Sequence, residues 1–357
     1  MKSLGNFPDP FRAEIGGQPE AIRRAASSLE IQRDPLRRLV ELASGASTIV
    51  LTGMGSSYDA LYPTVAGLAS SGSSAVMVDA AELVHFRAGI LDERALIVAV
   101  SQSGESAELV RLVGELERSR SRPRLVSITN DLANALAARA DVALDTCAGT
   151  EVGPSTMTFA GSVVVLAAAS AVLAGESVED AVATVRVESG RAASAAERLL
   201  RDAGLAEELE SRLGSRAVVV LLGRGPARAA AEMGSLILKE AAGVPAESLQ
   251  TAQFRHGPLE LAGPDLAAII IATEPETRGL DVALAGELIE AGSAVLVVAP
   301  DTEGPSRAMR LGVGALHRLL APAVSVIPAQ LLAWRLALAR GRDPSTYTRA
   351  SKVTTRE

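Results

Sequence analysis

The sequence predicts an α/β fold of two similar lobes, each a parallel sheet flanked by helices. Short apolar runs end in Gly or Ser and each leads into a longer stretch of helical period, which is the pattern of strand–turn–helix units in a parallel sheet. The pattern occurs twice: the Gly53-x-Gly55 and Gly223-x-Gly225 turns lie 170 residues apart, and the strand ends at Val100 and Ile271 lie 171 apart. Two landmarks that keep one offset indicate an internal duplication. A chain of 357 residues with 48% hydrophobic and 22% charged residues has the apolar content for two such cores, which excludes disorder over most of its length.

In chain order, residues 1–30 read as an N-terminal helix behind a Pro-rich start, with apolar residues at helical spacing in AEIGGQPEAIRRAASSLE. Ser47–Thr52 reads as a strand entering the turn Gly53–Ser57, followed by helix over Tyr58–Ala69. Ala75–Val78 is a short strand. Ala95–Val100 is a fully apolar strand entering Ser101–Ser106, with helix over Ala107–Ser119 and a further strand at Leu125–Thr129. The second half repeats this with Ala217–Leu222, a Gly223-Arg224-Gly225 turn, helix Ala227–Ala242, and strands Ala267–Ala272 and Ala294–Ala299. An Ala- and Glu-rich helical linker, Ser177–Arg212, joins the halves.

Composition narrows the function classes. Lys+Arg of 35 against Asp+Glu of 42 gives a net charge of −7, opposite to the basic excess of nucleic-acid binders. The single cysteine, Cys147, excludes a disulfide framework and a cysteine-rich zinc site, and three dispersed histidines (His85, His256, His317) argue against a histidine metal cluster. Neither a metal nor a cofactor is expected. Pro8, Pro10, Arg12 and Glu14 occupy the stretch where a signal peptide would carry its apolar core. Met157–Gly175 is nineteen residues without a charge, yet it is built from Ala, Gly, Ser and Val and has no aromatic or basic anchors. A buried core helix is the expectation, and the cytoplasm the expected compartment.

Chemistry concentrates in a few segments. Ser101-Gln102-Ser103-Gly104-Glu105-Ser106 lies between an apolar strand and a helix start, where free backbone N–H groups and the helix dipole favour an anion. Its hydroxyls and the Gln102 amide add polar groups, which makes a phosphate cradle; the plainer alternative is a Ser-rich N-cap turn. Gly53-Met54-Gly55-Ser56-Ser57 repeats the design but lacks the third glycine of a dinucleotide fingerprint and the lysine of a P-loop. Glu240, on the apolar helix LILKEAAG, is either a solvated carboxylate paired with Lys239 or Arg228, or a base tuned by partial burial. His256, alone before Gly257-Pro258, reads by itself as a structural histidine, although histidine is suited to giving and taking a proton near neutral pH. His85 and His317 read as surface or packing residues, with His85 near the carboxyl ends of the strands, and Cys147 as a small buried residue.

These residues together resemble the sugar isomerase (SIS) family in its tandem form, and within it the isomerase half of glucosamine-6-phosphate synthase. The match runs over about residues 15–357. It rests on GMGSSYDA at 53–60, SQSGES at 101–106, Gly149–Gly153 with Ser155-Thr156, Lys239-Glu240 followed by Glu247 and Arg255–Leu259, then Ile327-Pro328 with Gln330–Ala333, and the tail Lys352-Val353-Thr354. The resemblance implies two SIS subdomains of flavodoxin-like, doubly wound topology. The corresponding division is an N-terminal helical segment 1–34, a first SIS domain 35–176, a linker 177–212, a second SIS domain 213–340 and an active-site tail 341–357.

It also implies roles. Ser101, Gln102, Ser103 and Ser106 would hold a sugar phosphate; Gly55, Ser56, Ser57 and Ser155 would line the sugar site. Glu240 would move a proton between C1 and C2, His256 would open the sugar ring from a neighbouring subunit, and Lys352 would bind the open-chain ketose. The partners implied are a small sugar phosphate and a second copy of the chain in a homodimer with shared sites, with no nucleic acid and no membrane. Nothing in the sequence resembles the synthase's glutaminase domain. Ile237 stands where the synthase carries a lysine, Gln253 where it carries a glutamate, and Tyr347-Thr348 where it carries Pro-Arg. The expected activity is aldose–ketose isomerization of an amino-sugar 6-phosphate with deamination. Dehydration of an N-acetylamino-sugar phosphate, deglycation of fructosamine 6-phosphate and non-catalytic sensing are the alternatives.

Overall fold

The computed structural model describes residues 9–119, 121–302 and 304–356. The first eight residues of the expected N-terminal segment, and Glu357 of the tail, lie outside them. Two compact units divide the chain: one comprises Glu20–Thr150, Met157–Gly190 and Arg349–Glu357, and the other comprises residues up to Pro19, Glu151–Thr156 and Arg191–Thr348.

The first unit holds a five-stranded parallel sheet of β1 (Thr48–Gly53), β2 (Ala75–Met77), β3 (Ala95–Val100), β4 (Arg124–Thr129) and β5 (Val142–Asp145), in the order β2-β1-β3-β4-β5. Every residue of β3 is buried, as a central strand covered on both faces requires. One face packs Val50, Ile97, Ala99 and Leu125 against Leu109, Leu112 and Leu116 of the helix Ala107–Arg118. Burying each such side chain stabilises by about 1.5–3 kcal/mol. The helix Met157–Leu173 is buried along nearly its whole length, which is why it reads as uncharged.

The second unit repeats the plan with β6 (Val218–Gly223), β7 (Ala246–Gln250), β8 (Leu266–Ile271), β9 (Ala294–Ala299) and β10 (Met309–Gly312), ordered β10-β9-β8-β6-β7. Numbered within the unit, this is the same 2-1-3-4-5 order. Equivalent strands start 170 residues apart at Thr48 and Val218, 171 at Ala75 and Ala246 and at Ala95 and Leu266, 170 at Arg124 and Ala294, and 167 at Val142 and Met309. Register is kept as well: Gly53 pairs with Val100 and Gly223 with Ile271. One core joins Val220, Leu222, Ile270 and Val297 to Leu284 and Leu288 of the helix Arg278–Glu290. The helices Arg228–Ala242 and Ile327–Ala339 pack on each other. The stretch Ala321–Ala339 is long and apolar enough to cross a membrane, but 89% of its most apolar window is buried within the protein.

Some expected boundaries change. The helix expected over Tyr58–Ala69 is two, Gly55–Asp59 and Tyr62–Ser70, with Pro63 in the first turn of the second. The helical stretch 177–212 is likewise two helices, Val178–Arg201 and Leu205–Leu213. Strands β5, β7 and β10 carry no sequence expectation: each is an edge strand of four or five residues, and each includes a charged position.

Candidate active site

In the 2-1-3-4-5 order the connections leaving β1 and β3 diverge to opposite sides, so a crevice opens beyond the carboxyl ends of these two strands. The two Gly/Ser turns start there, from Gly53 and Val100, which are register partners. A Cβ at Gly53 would stand 2.8 Å from the Val100 carbonyl oxygen and 3.2 Å from the backbone at Ser57 and Tyr58, so only glycine lets strand, strand and helix meet at this point. Ser57 is buried beneath the turn.

The Ser101–Ser106 loop is internally braced. The Gly104 N–H donates to Ser101 Oγ at 3.0 Å, the Glu105 N–H to Ser103 Oγ at 3.1 Å, and the Ser101 and Ser106 hydroxyls are 3.3 Å apart. Glu105 turns away, its carboxylate accepting the Ala135 N–H at 2.8 Å. Gly104 has a left-handed backbone, φ +67, with the Asn134 side chain where a Cβ would project. Ser106 occupies the N-cap position of the helix Ala107–Arg118, yet its hydroxyl makes no cap hydrogen bond. The simple N-cap reading of this loop therefore fails. The Ala107 N–H donates to the Thr354 carbonyl at 2.9 Å, which docks the C-terminal tail on the loop and brings half-buried Lys352 into its neighbourhood.

In the second unit, half-buried Glu240 lies in the last turn of the helix Arg228–Ala242. Arg228, one proposed partner, pairs instead with Glu232 at 2.7 Å. His256 is exposed on the loop after β7, and the two residues before it are anchored. Phe254 is fully buried in the core, and Arg255 makes a bidentate ion pair with Glu287 at 2.7 and 2.8 Å. The 151–156 segment is organised by two buried carboxylates. Glu14 accepts the N–H groups of Val152 and Gly153, and Glu151 accepts the Thr156 N–H at 2.7 Å and its hydroxyl at 3.0 Å. Ser155 is held in that turn. Tyr347 is half-buried in the combined field of Glu240, Glu151 and Glu14; burial first, then these charges, holds its phenol well above the usual range.

The SIS domain family matches residues 42–173 and 214–340. The chain belongs to the SIS domain family. It is 28% identical over 360 residues to the isomerizing glutamine–fructose-6-phosphate aminotransferase of Pyrobaculum aerophilum, covering 100% of this chain and 59% of that protein. The chain thus spans less than two thirds of such a relative. The C-terminal domain of the Francisella tularensis glucosamine–fructose-6-phosphate aminotransferase superposes with a TM-score of 0.83 at 23% identity, covering 95% of this chain and 98% of that one. A glucosamine-6-phosphate deaminase from Thermotoga maritima superposes with a TM-score of 0.67 at 18% identity, covering 92% and 99%.

The two SIS units share a backbone plan but differ in chemistry. Where the first has Met54 after its β1, the second has Arg224, whose Nε is 2.7 Å from Asp281. Asp281 is fully buried, and burial pushes its carboxyl up against the pull of Arg224. Glu274, after β8, pairs with Arg318 at 2.7 Å. Where the first SIS unit has a hydroxyl-lined loop, the second thus has ion pairs at the equivalent positions.

Gly55, Ser56, Ser57, Ser101, Gln102, Ser103, Ser106 and Lys352 belong to the first unit, and Ser155, Glu240 and His256 to the second. Cys147 is half-buried, not buried, on a left-handed turn at φ +49; burial raises its thiol, so it is not an activated nucleophile. His85 is exposed beside Phe86. Glu14, Glu151 and Tyr347 carry no role in the sequence reading.

The state of Tyr347 has a direct readout. A phenol raised by burial and carboxylates stays neutral when free tyrosine ionises near pH 10, and the unfolded chain then releases the proton first, so stability falls as pH rises past that point. Comparison of the protein with its Tyr347→Phe variant should show no phenolate absorbance from Tyr347 through about pH 11 while the fold persists.

Proposed function

We propose that the chain is a sugar-phosphate enzyme that isomerizes an amino-sugar 6-phosphate from aldose to ketose and releases ammonia. The observation that carries the phosphate half of this reading is the Ser101–Ser106 loop, whose hydroxyls gather at a helix start that the Ser106 side chain does not cap, at the mouth of the sheet's crevice. A phosphate held by neutral donors and a helix dipole needs no cationic side chain. Membership of the SIS family and the names of its relatives support the sugar half.

In the reaction we infer, His256 assists ring opening of glucosamine 6-phosphate, and Glu240 removes the proton at C2. The electron pair forms the C1–C2 enolamine, and return of a proton to C1 leaves an imine at C2. Water adds to that imine and ammonia departs, giving fructose 6-phosphate. One carboxylate serves both proton steps because the two carbons are adjacent. Lys352, on the tail docked at the phosphate loop, is read as the amine that engages the open-chain sugar. Gly55, Ser56, Ser57 and Ser155 are read as the walls of the sugar site. The exposure of His256, on a loop held by Phe254 and Arg255, suits donation to the site of a second copy in a homodimer.

Incubating the purified protein with glucosamine 6-phosphate, its N-acetyl form and fructose 6-phosphate, with mass-spectrometric product analysis, tests the reading. Ammonia with fructose 6-phosphate is the expected outcome; a product lighter by one water would replace deamination by elimination, and unchanged sugars would leave only binding. Ser103→Ala and Ser106→Ala should each weaken fructose 6-phosphate binding roughly ten- to a hundredfold, since a hydrogen bond to a charged group contributes about 1.5–3 kcal/mol. Mixing inactive Glu240→Gln and His256→Ala proteins should restore turnover in hybrid dimers. An active monomer would remove the shared site.

A further inference from the structure

We propose that Glu105 is a positioning residue for phosphate binding, its carboxylate pinning the crown of the Ser101–Ser106 loop to the start of the helix Ala135–Arg139; this rests on the reading of that loop as the phosphate site. A carboxylate in a loop that is to receive a phosphate is unexpected on electrostatic grounds, because like charges at short range repel. Its contacts in the fold supply the reason for it.

The loop is held at its start by the sheet. The Ser101 N–H donates to the Ile128 carbonyl at 3.0 Å and the Gln102 carbonyl accepts the Asn130 N–H at 3.1 Å, which continues the pairing of β3 with β4. At Gly104 the backbone turns left-handed, φ +67, and the loop leans on the segment after β4 instead. The Gly104 carbonyl accepts the Leu136 N–H at 3.3 Å, and Glu105 Oε1 accepts the Ala135 N–H at 2.8 Å. Consecutive N–H groups of one helix start thus hold consecutive residues of the loop. That support is itself fixed: Asn134 Oδ1 caps the Ala137 N–H at 2.8 Å, Asn134 Nδ2 donates to the Asp131 carbonyl, and Leu136 is fully buried in the core. The Asn134 side chain fills the space that a Cβ on Gly104 would need, so glycine is what lets the two segments meet.

The consequence reaches the serines. Ser101 Oγ accepts the Gly104 N–H at 3.0 Å and Ser103 Oγ accepts the Glu105 N–H at 3.1 Å. A hydroxyl whose oxygen accepts from the backbone keeps its proton to give, to a neighbouring hydroxyl or to an anion. Both serines are therefore set as donors, the polarity a phosphate requires. The two N–H groups that set them belong to Gly104 and Glu105, the same two residues that the helix start holds. Releasing the Glu105 carboxylate loosens the backbone that orients the hydroxyls, and its reordering then weakens binding. The negative charge of Glu105 meanwhile sits at a helix start, where N–H dipoles offset part of it.

The test is the dissociation constant for fructose 6-phosphate, by calorimetry, of the native protein and of Glu105→Gln, Glu105→Asp and Glu105→Ala. Glutamine keeps an oxygen acceptor at the same reach without the charge, aspartate keeps the charge but is one methylene shorter, and alanine has neither. Glu105→Asp and Glu105→Ala should bind about three- to tenfold more weakly than the native protein, and Glu105→Gln should recover most of that loss. A residue acting through its charge alone would give the opposite order, with Glu105→Gln and Glu105→Ala binding more tightly than Glu105→Asp, and that order overturns the proposal. Native affinity in all three variants overturns it too, whatever their melting temperatures, because a carboxylate that serves only the fold changes stability and not the affinity of the folded protein. If Glu105→Ala fails to fold, the contrast between Glu105→Gln and Glu105→Asp decides. Ser103→Ala, run beside them, separates the two readings. Native affinity in Ser103→Ala, or a native protein that does not bind fructose 6-phosphate, removes the phosphate site and the role of Glu105 with it. Weakened Ser103→Ala beside unweakened Glu105→Asp and Glu105→Ala removes only the role of Glu105.

Discussion

Everything in each SIS unit hangs on the absence of a Cβ at the carboxyl end of its first strand. At Gly53 a side chain would press on the Val100 carbonyl, and at Gly223 a Cβ would lie 2.7 Å from the Ala227 carbonyl oxygen and 3.1 Å from the Arg228 nitrogen. Because that space is empty, the chain turns directly from strand into helix and neighbouring strand ends stay in register. The crevice beyond them is therefore narrow and rimmed by backbone N–H groups, which is the environment an anion seeks. Overpacking of such a contact typically costs about 1–3 kcal/mol, and here it would also open the crevice.

The duplication keeps this constraint and lets the chemistry diverge. In one unit the crevice is lined with serine hydroxyls, neutral groups that leave the helix dipole available to a ligand. In the other, the Arg224–Asp281 and Glu274–Arg318 pairs satisfy the equivalent positions from within. A buried carboxylate opposite an arginine does in the second unit what a bound phosphate would do in the first. In the proposed function the second unit supplies the acid–base groups, Glu240 in the last turn of its helix and His256 on the loop after β7.

How far this was legible in the sequence follows from locality. The Ser101–Ser106 loop is six consecutive residues between a strand and a helix, so its hydroxyls and its place at a helix start are both local and legible. The central strands were legible because burial on both faces demands unbroken aliphatic runs, as in Ala95–Val100. Edge strands β5, β7 and β10 escape because one side is unpaired and their residues need not be apolar. The surroundings of Glu240 escape for a different reason. The Phe11 N–H donates to Ser345 Oγ 334 residues away, and Glu14 lies 138 residues from the Val152 N–H it accepts. No spacing rule reaches across such distances, so Glu14, Glu151 and Tyr347 emerge only from the fold.

The account separates ground-state binding, given to the serine loop, from proton transfer, given to Glu240. Solvent exchange isolates the second step from everything after it. Glucosamine 6-phosphate incubated in deuterated water with the native protein should acquire deuterium at C2. With Glu240→Gln the exchange should slow by at least about a hundredfold, the lower end of a general base's contribution, while affinity for fructose 6-phosphate stays nearly constant. Exchange at the native rate in the Glu240→Gln protein would contradict the account and place the base on another residue.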